Sequence, residues 1–344
     1  MKKQTPFLLS LDYELFFGSH SGSVNQCMIL PTEKLVHMLE QHNVKVSLFV
    51  DAGFLVKLKE YATEYPELYK QYNQISAQLL ALSEQGHDIQ LHIHPHWQDS
   101  YYTAKGWVID TKRYRLHDFS PKEINAIVKG YKKELELCTH NDVFAYRAGG
   151  WCIQPFDKIK HALKDNGIWL DSTVFLSGHS NDPTRHFNFN GAPESAFWCF
   201  STDPLVHDDD GFFVEVPISA MKTSPLFFWK LAFFKLFSKG AFKPFGDGNT
   251  MIANGNYYFS RLTQTTYGPV MIDGAKAGQL QSAFKQHNKK NMNNAILNVM
   301  GHPKSLSPYS LTQLDIFLKK NKNIQSITFQ DLKHLKQVKS KITL

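Results

Sequence analysis

Cysteine is scarce in this chain: Cys27, Cys138, Cys152 and Cys199 are its four copies, and no two form a C-x-x-C pair. That spacing argues against a disulfide framework and against a thiolate zinc site, and it predicts buried free thiols. A secretory leader is also missing from the given start. Met1 to Pro6 run directly into a short apolar strand and acidic residues, with neither an h-region nor a cleavage site, so a cytoplasmic location is expected. No basic tract or nucleic-acid motif is present. The net charge of +7 suits anionic partners, but Lys and Arg are spread along the chain, and nucleic acid is not an expected partner. The most apolar stretch, Leu226 to Phe237, is too short and too punctuated by lysines to span a bilayer. It suits the membrane interface, with packing on the domain or a dimer contact as the alternative.

What remains is a chain of 344 residues, 42% hydrophobic, enough to bury one large core. With no break in composition, residues 1–344 read as a single domain with insertions. Short β-rich runs alternate with helical patterns. Strands are expected over Phe7 to Leu11, Lys45 to Val50, Asp88 to His92, Val143 to Arg147, Ile168 to Thr173, Phe212 to Val216, Ala295 to Met300 and Ile324 to Thr328. Helices are expected over Thr32 to Gln41, from Ser120-Pro121-Lys122-Glu123 onward, from Pro155 to near Gly167, over Ala275 to Gln286 and over Ser310 to Lys320. The Ser120 start carries an N-cap, an N1 proline and a capping-box glutamate. This alternation predicts an α/β fold, a distorted barrel of the TIM-barrel type, rather than an open sheet.

In such barrels chemistry gathers at the carboxyl ends of the strands. Here those ends carry Asp12-Tyr13-Glu14, the run His92-Ile93-His94-Pro95-His96, Arg147, Asp171 and His302. Clustered neutral imidazoles suggest a divalent metal such as zinc, with His92 and His96 turned toward one centre and His94 pointing elsewhere. One carboxylate of the Asp12/Glu14 pair would complete the ligand set and the other would accept a proton from water; which does which stays open. Arg147 reads as the orienter of an acid, and His302 as a general acid for a leaving nitrogen.

In this order the residues resemble the polysaccharide deacetylases of the NodB-homology type, carbohydrate esterase family four. Its first motif is similar to Ser10-Leu11-Asp12-Tyr13-Glu14, and its second to Gly86-His87-Asp88-Ile89 followed by the pair His92 and His96. Its third resembles Arg147-Ala148-Gly149-Gly150-Trp151, its fourth Asp171-Ser172-Thr173-Val174, and its fifth Gly301-His302-Pro303. The family's adjacent aspartates are replaced by an acid-x-acid pattern, and the proline of its third motif by Ala148-Gly149-Gly150. The stretch from about 175 to 294 exceeds a minimal catalytic domain, which implies an inserted or elaborated region. The resemblance implies a metal-dependent hydrolase, with Zn2+ the expected metal, that removes an N-acetyl group from a sugar in cell-surface polysaccharide assembly. Asp12 would be the base, Glu14, His92 and His96 the metal ligands, Arg147 the tether of the base, Asp171 a further catalytic residue and His302 the acid. Aromatic faces for sugar rings are expected at Tyr101 to Trp107 and at Trp151, and a lipid-linked glycan at the inner face of the membrane would suit the 226–237 stretch. Two other readings share the sequence: a metal-independent amide hydrolase of the same superfamily acting on a small molecule, and a glycan-binding module with a decayed site.

Overall fold

The structure, a computed structural model, describes residues 4–139, 141–237, 240–249, 262–289 and 295–336. Fifteen strands are described: β1 Thr5–Tyr13, β2 Ser47–Asp51, β3 Asp88–Ile93, β4 Tyr101–Thr103, β5 Gly106–Val108, β6 Ala145–Ala148, β7 Leu170–Asp171, β8 His179–Asn181, β9 His186–Asn188, β10 Trp198–Phe200, β11 Phe213–Glu215, β12 Ala220–Thr223, β13 Thr266–Pro269, β14 Leu297–Gly301 and β15 Ile324–Ile327. Nine of them form one sheet in the order β10-β11-β7-β6-β3-β2-β1-β14, with β15 joined to β1. Every pairing in it is parallel except β10 with β11. β1 changes partner along its length: Thr5 to Leu8 lie against β15, and Ser10 to Tyr13 against β2.

The sheet curls into the distorted α/β barrel expected from the sequence. Between β11 and β14 a continuous ladder is replaced by single contacts: Ser219 N–H donates to Asn298 O at 2.9 Å, and Met271 bridges Met300 in parallel. The pairs β4/β5, β8/β9 and β12/β13 are antiparallel and stand outside the main sheet.

The helices are α1 Leu30–Glu40, α2 Ala52–Tyr61, α3 Pro66–Glu84, α4 Pro121–Thr139, α5 Lys160–Asp165, α6 Pro225–Phe237, α7 Leu280–Lys289 and α8 Pro308–Lys320. At the start of α4 the anticipated capping box is present, with Ser120 N–H donating to Glu123 Oε2 at 2.8 Å and Glu123 N–H to Ser120 Oγ at 3.4 Å. The helix expected from Pro155 is shorter than its pattern suggested: a 3-10 turn, Phe156–Lys158, precedes α5. α2 and α3 fill the span between Val50 and Asp88, for which the sequence reading names no element. In α3 only Leu68, Ile75, Leu79 and Leu82 are buried, too sparse a stripe among tyrosines and glutamines to register as a helical period. Among the described residues no helix is long and apolar enough to cross a membrane. None of the four cysteines forms a disulfide; Cys27, Cys138 and Cys152 are buried as expected, whereas Cys199 is partly exposed.

Both faces of β1 are covered, as a parallel barrel requires. Phe7, Leu9, Leu11 and Tyr13 pack in the larger core, while Leu8 joins Phe49, Phe144, Trp169, Val214 and Phe329 in a second cluster. Further along β1 the residues sharing Leu8's parity turn polar at Ser10 and Asp12, and they meet Arg147, which is fully buried. Arg147 Nη1 donates to Asp12 Oδ1 at 2.7 Å, Nη2 to Ser10 Oγ at 2.9 Å and Nε to Ser172 O at 2.8 Å. Asn298 closes the ring by accepting from Ser10 Oγ and donating to Ser172 Oγ, each at 3.1 Å. β1, β6, β14 and the end of β7 are thus tied at one level. The guanidinium carbon also lies 4.1 Å from the centre of the Phe49 ring. Truncating one partner of a buried ion pair leaves the other unpaired, at about 3–5 kcal/mol. Arg147→Met should therefore lower the urea-unfolding free energy by about that amount, and Arg147→Lys should recover only part because an ammonium cannot reproduce the fork.

Candidate active site

The acid-x-acid pattern follows from strand geometry. Side chains two apart along a strand share a face, so Asp12 and Glu14 point together into the mouth. Tyr13 points the other way, toward α3, where its hydroxyl donates to Gln78 Oε1 at 2.8 Å. Asp12, Glu14, His92, His94, Asp273, His302 and Lys304 line one cavity of about 260 Å³. A wall of Phe16, Phe17, Tyr114, Trp151 and Arg185 surrounds them.

The same parity governs the histidines, and it gathers a different trio from the expected one. His92 is the next-to-last residue of β3, and the backbone stays extended through His94, so both rings face the mouth. The turn Pro95–Gln98 then rotates His96 away. Glu14 Oε2 lies 2.6 Å from His94 Nε2 and 3.3 Å from His92 Nε2. Glu14, His92 and His94 together form a cluster able to hold a metal ion. His96 is not part of it: its ring is buried, parallel to Tyr114 at 5.7 Å and close to Trp97, and neither ring nitrogen has a hydrogen-bond partner. His94, expected to point elsewhere, is the ring that lies beside His92 and Glu14.

The donor chemistry suits a cation. Glu14 Oε2 is buried and lies within 3.3 Å of both imidazole Nε2 atoms, so three donor atoms converge on one point. His92 Nδ1 donates to Arg147 O at 2.9 Å, so Nε2 is the nitrogen that faces Glu14; burial lowers the pKa of this ring, but Asp12 and Glu14 raise it to about 8. The glycines of the third motif make room for this arrangement. A Cβ on Gly149 would stand 2.6 Å from His94 Nδ1 and 2.6 Å from Ile93 O.

Asp12 and His302 flank the cluster. With Oδ1 held by Arg147, Asp12 presents Oδ2 at 3.9 Å from His92 Nε2 and 3.7 Å from His302 Nε2. Burial alone would raise its pKa, but Arg147, then His92 and His302, hold it below the usual carboxylate value. Glu14 is pulled well below its ordinary value in the same way: burial opposes ionisation, while Lys304 and His94 override it. His302 Nδ1 sits 2.8 Å from Asp273 Oδ2, and its backbone N–H donates to Asp273 Oδ1 at 2.8 Å. Burial lowers the pKa of the imidazole, and Asp273 more than reverses this, so the net direction is upward. His94 is driven down to about 4, chiefly by burial, and is a neutral donor at pH 7.

Asp171 does not join the site. Serine 172, one residue on, is the member of its motif that reaches Arg147, and a one-residue step reverses a strand side chain. Asp171 instead accepts from Thr173 N–H at 3.0 Å and Thr173 Oγ1 at 2.8 Å, and is bonded to the buried Glu215 across β7 and β11. Burial raises the pKa of both carboxyls, as expected of two acids sharing a proton. Nor do Tyr101 to Trp107 face the cavity: Trp107 packs edge-on against Phe54, Trp97 and Tyr102. Trp151 does line it.

Three residues of the site escaped the sequence reading. Buried Lys304 donates to Glu14 Oε1 at 2.8 Å and to Leu15 O at 2.6 Å, fixing the carboxylate so that Oε2 faces the histidines. Asp273 positions His302. Asp51, beside His92 in the β2–β3 register, accepts from Trp97 Nε1 and is pushed up to about 7 by burial. Lys304, two residues past His302 in the fifth motif, had a signal in that spacing; Asp273 and Asp51 had none.

No family model matches the chain, and no curated protein matches it. Among solved structures it is similar to a protein described as a polysaccharide deacetylase from Mycobacterium smegmatis, at 14% identity and TM-score 0.50, covering 99% of this chain and 92% of the other. It also aligns with a peptidoglycan deacetylase from Bacillus subtilis, at 10% identity and TM-score 0.35, covering 98% and 94%. A 4-alpha-glucanotransferase from Thermococcus litoralis aligns at 11% identity and TM-score 0.49, covering 96% of this chain and 40% of that one. The likeness to the first establishes the fold: a polysaccharide-deacetylase type of distorted α/β barrel.

The position of the two histidines gives a direct test. His94→Ala should abolish stoichiometric binding of Zn2+ measured by calorimetry, whereas His96→Ala should keep a stoichiometry near one; the reverse result would restore His96 as ligand.

Proposed function

We propose that this protein is a metal-dependent hydrolase that removes an N-acetyl group from a sugar in cell-surface polysaccharide biosynthesis. One observation carries the reading: Glu14, His92 and His94 converge beside an arginine-held aspartate and an aspartate-held histidine at the carboxyl ends of the barrel strands. Two imidazoles and a carboxylate, with room for water, suit Zn2+. Bound there, such a metal would supply Lewis acidity toward water and the acetyl carbonyl.

The chain's own groups then divide the proton work. Asp12 stays ionised because Arg147 holds Oδ1, and its free Oδ2 accepts the proton of the attacking water. His302 presents Nε2 to the mouth while Asp273 holds Nδ1, and it donates a proton to the departing sugar nitrogen. Trp151 offers a ring face to the sugar, and the backbone N–H groups after the first motif are candidates for the oxyanion. Asp12, His302 and Arg147 therefore keep the roles given them by the resemblance, and Asp171 is assigned none at the mouth.

Lys304 favours a second reading, metal-independent hydrolysis of a small-molecule amide, because a buried ammonium already neutralises Glu14. Chelation separates the two. Under the leading reading, wild type releases acetate from N-acetylated sugars, chelator removes the activity and added Zn2+ restores it. Asp12→Asn should cost about 10²–10⁴-fold in kcat/KM. Because the His302 pKa is raised, the acid form persists above pH 6.5 and activity declines as pH rises through that raised value; His302→Ala should lose this alkaline limb. Acetate release that survives chelation would point to the second reading.

We further place the enzyme in the cytoplasm, touching the inner face of the membrane, where a lipid-linked glycan would be its substrate. Leu226, Trp229 and Phe233 lie three and four residues apart on α6 and are 61%, 58% and 60% exposed. Wild type should co-sediment with anionic liposomes and Trp229→Glu should not; equal sedimentation would remove this assignment.

A further inference from the structure

We propose that Arg185 forms an anion-binding subsite at the mouth of the active site, so that the sugar acted on carries a carboxylate or a phosphate. This deepens the deacetylase reading and rests on it for the reaction, though not for the binding. Arg185 lies at the tip of the β8–β9 hairpin, whose last paired residues are Asn181 and His186. The tip brings Arg185 to the wall of the cavity that also holds Asp12, Glu14, His92, His94 and His302.

The other cations near this chemistry are already engaged. Arg147 spends its donors on Asp12, Ser10 and Ser172. Lys304 is bonded to Glu14 and to Leu15 O. Arg185 has a single loose partner among the described residues: Nη2 lies 3.5 Å from Asp182 Oδ2, with both side chains about a third exposed. Asp182 is itself committed through Oδ1 to the turn, accepting from Thr184 N–H at 2.9 Å and Arg185 N–H at 3.2 Å. The turn thereby fixes the backbone of Arg185 while leaving most of its five N–H donors free.

A guanidinium fork matches the paired oxygens of a carboxylate or phosphate, and partial desolvation in a cavity strengthens that bond over its value in water. Tyr114 and Trp151 on the same wall give a sugar ring apolar faces beside the charge. A neutral N-acetylated sugar could use the rings and the catalytic groups, but it would leave Arg185 with only its loose contact to Asp182.

The experiment compares wild type, Arg185→Gln and Arg185→Lys on three substrates: a neutral N-acetylglucosamine disaccharide, an N-acetylglucosamine–glucuronic acid disaccharide and UDP-N-acetylglucosamine. In Arg185→Gln the ratio of kcat/KM for an anionic substrate to that for the neutral one should fall about tenfold, carried by KM rather than kcat, with partial recovery in Arg185→Lys. The substrate whose ratio falls distinguishes carboxylate from phosphate. An unchanged ratio for both anionic substrates overturns the proposal. If wild type releases acetate from none of the three, the deacetylase reading fails on these substrates, and calorimetric binding of glucuronate and of UDP decides the subsite separately. Binding by wild type that is lost in Arg185→Gln supports it; no binding, or equal binding by both, overturns it.

Discussion

The structure turns on the buried contact between Arg147 and Asp12. A guanidinium with no solvent exposure is tolerated in a barrel only if its donors are met, and here the barrel meets them with groups from β1 and from the end of β7. The same contact does two things. It ties strands distant in sequence at one level, and it holds Asp12 ionised with one oxygen fixed and the other turned toward the mouth. The site is organised from below, by the polar level beneath it.

Above that level the charges alternate in a way that keeps each group in a useful state. Glu14 lies between Lys304 on one oxygen and two imidazoles near the other, so a carboxylate buried to this degree remains ionised. His302 gains its proton affinity from Asp273, and His94, buried and close to His92, loses its own. A neutral imidazole, an ionised carboxylate and an imidazole of raised proton affinity thus arise within a few ångströms of one another because each faces a different neighbour. Under the proposed function, that spread lets acid and base steps run at one pH.

Strand parity explains which of the residues picked out along the chain meet at the mouth and which do not. Asp12 and Glu14, two apart, were legible as a pair facing one mouth. The same rule, carried one residue past the end of β3, puts His94 beside His92; the turn at Pro95 is what takes His96 out. A spacing of four residues fits a helix face, but this segment leaves a strand, and the period that counts is two. Asp171 fails for the converse reason, since Ser172 has the parity that reaches Arg147.

By itself, the sequence determined the alternation of strands and helices, the class of barrel, and the strand ends at which Asp12, Glu14, His92, Arg147 and His302 come together, because period and local capping are written in consecutive residues. Tertiary structure alone decided which ring nitrogens meet Glu14 and which residues hold the acid and base in place. Asp273 reaches His302 across 29 residues and Lys304 reaches Glu14 across 290, while Arg185 arrives on a hairpin outside the main sheet. Contacts of that range depend on how the barrel closes, and no local pattern encodes the closure.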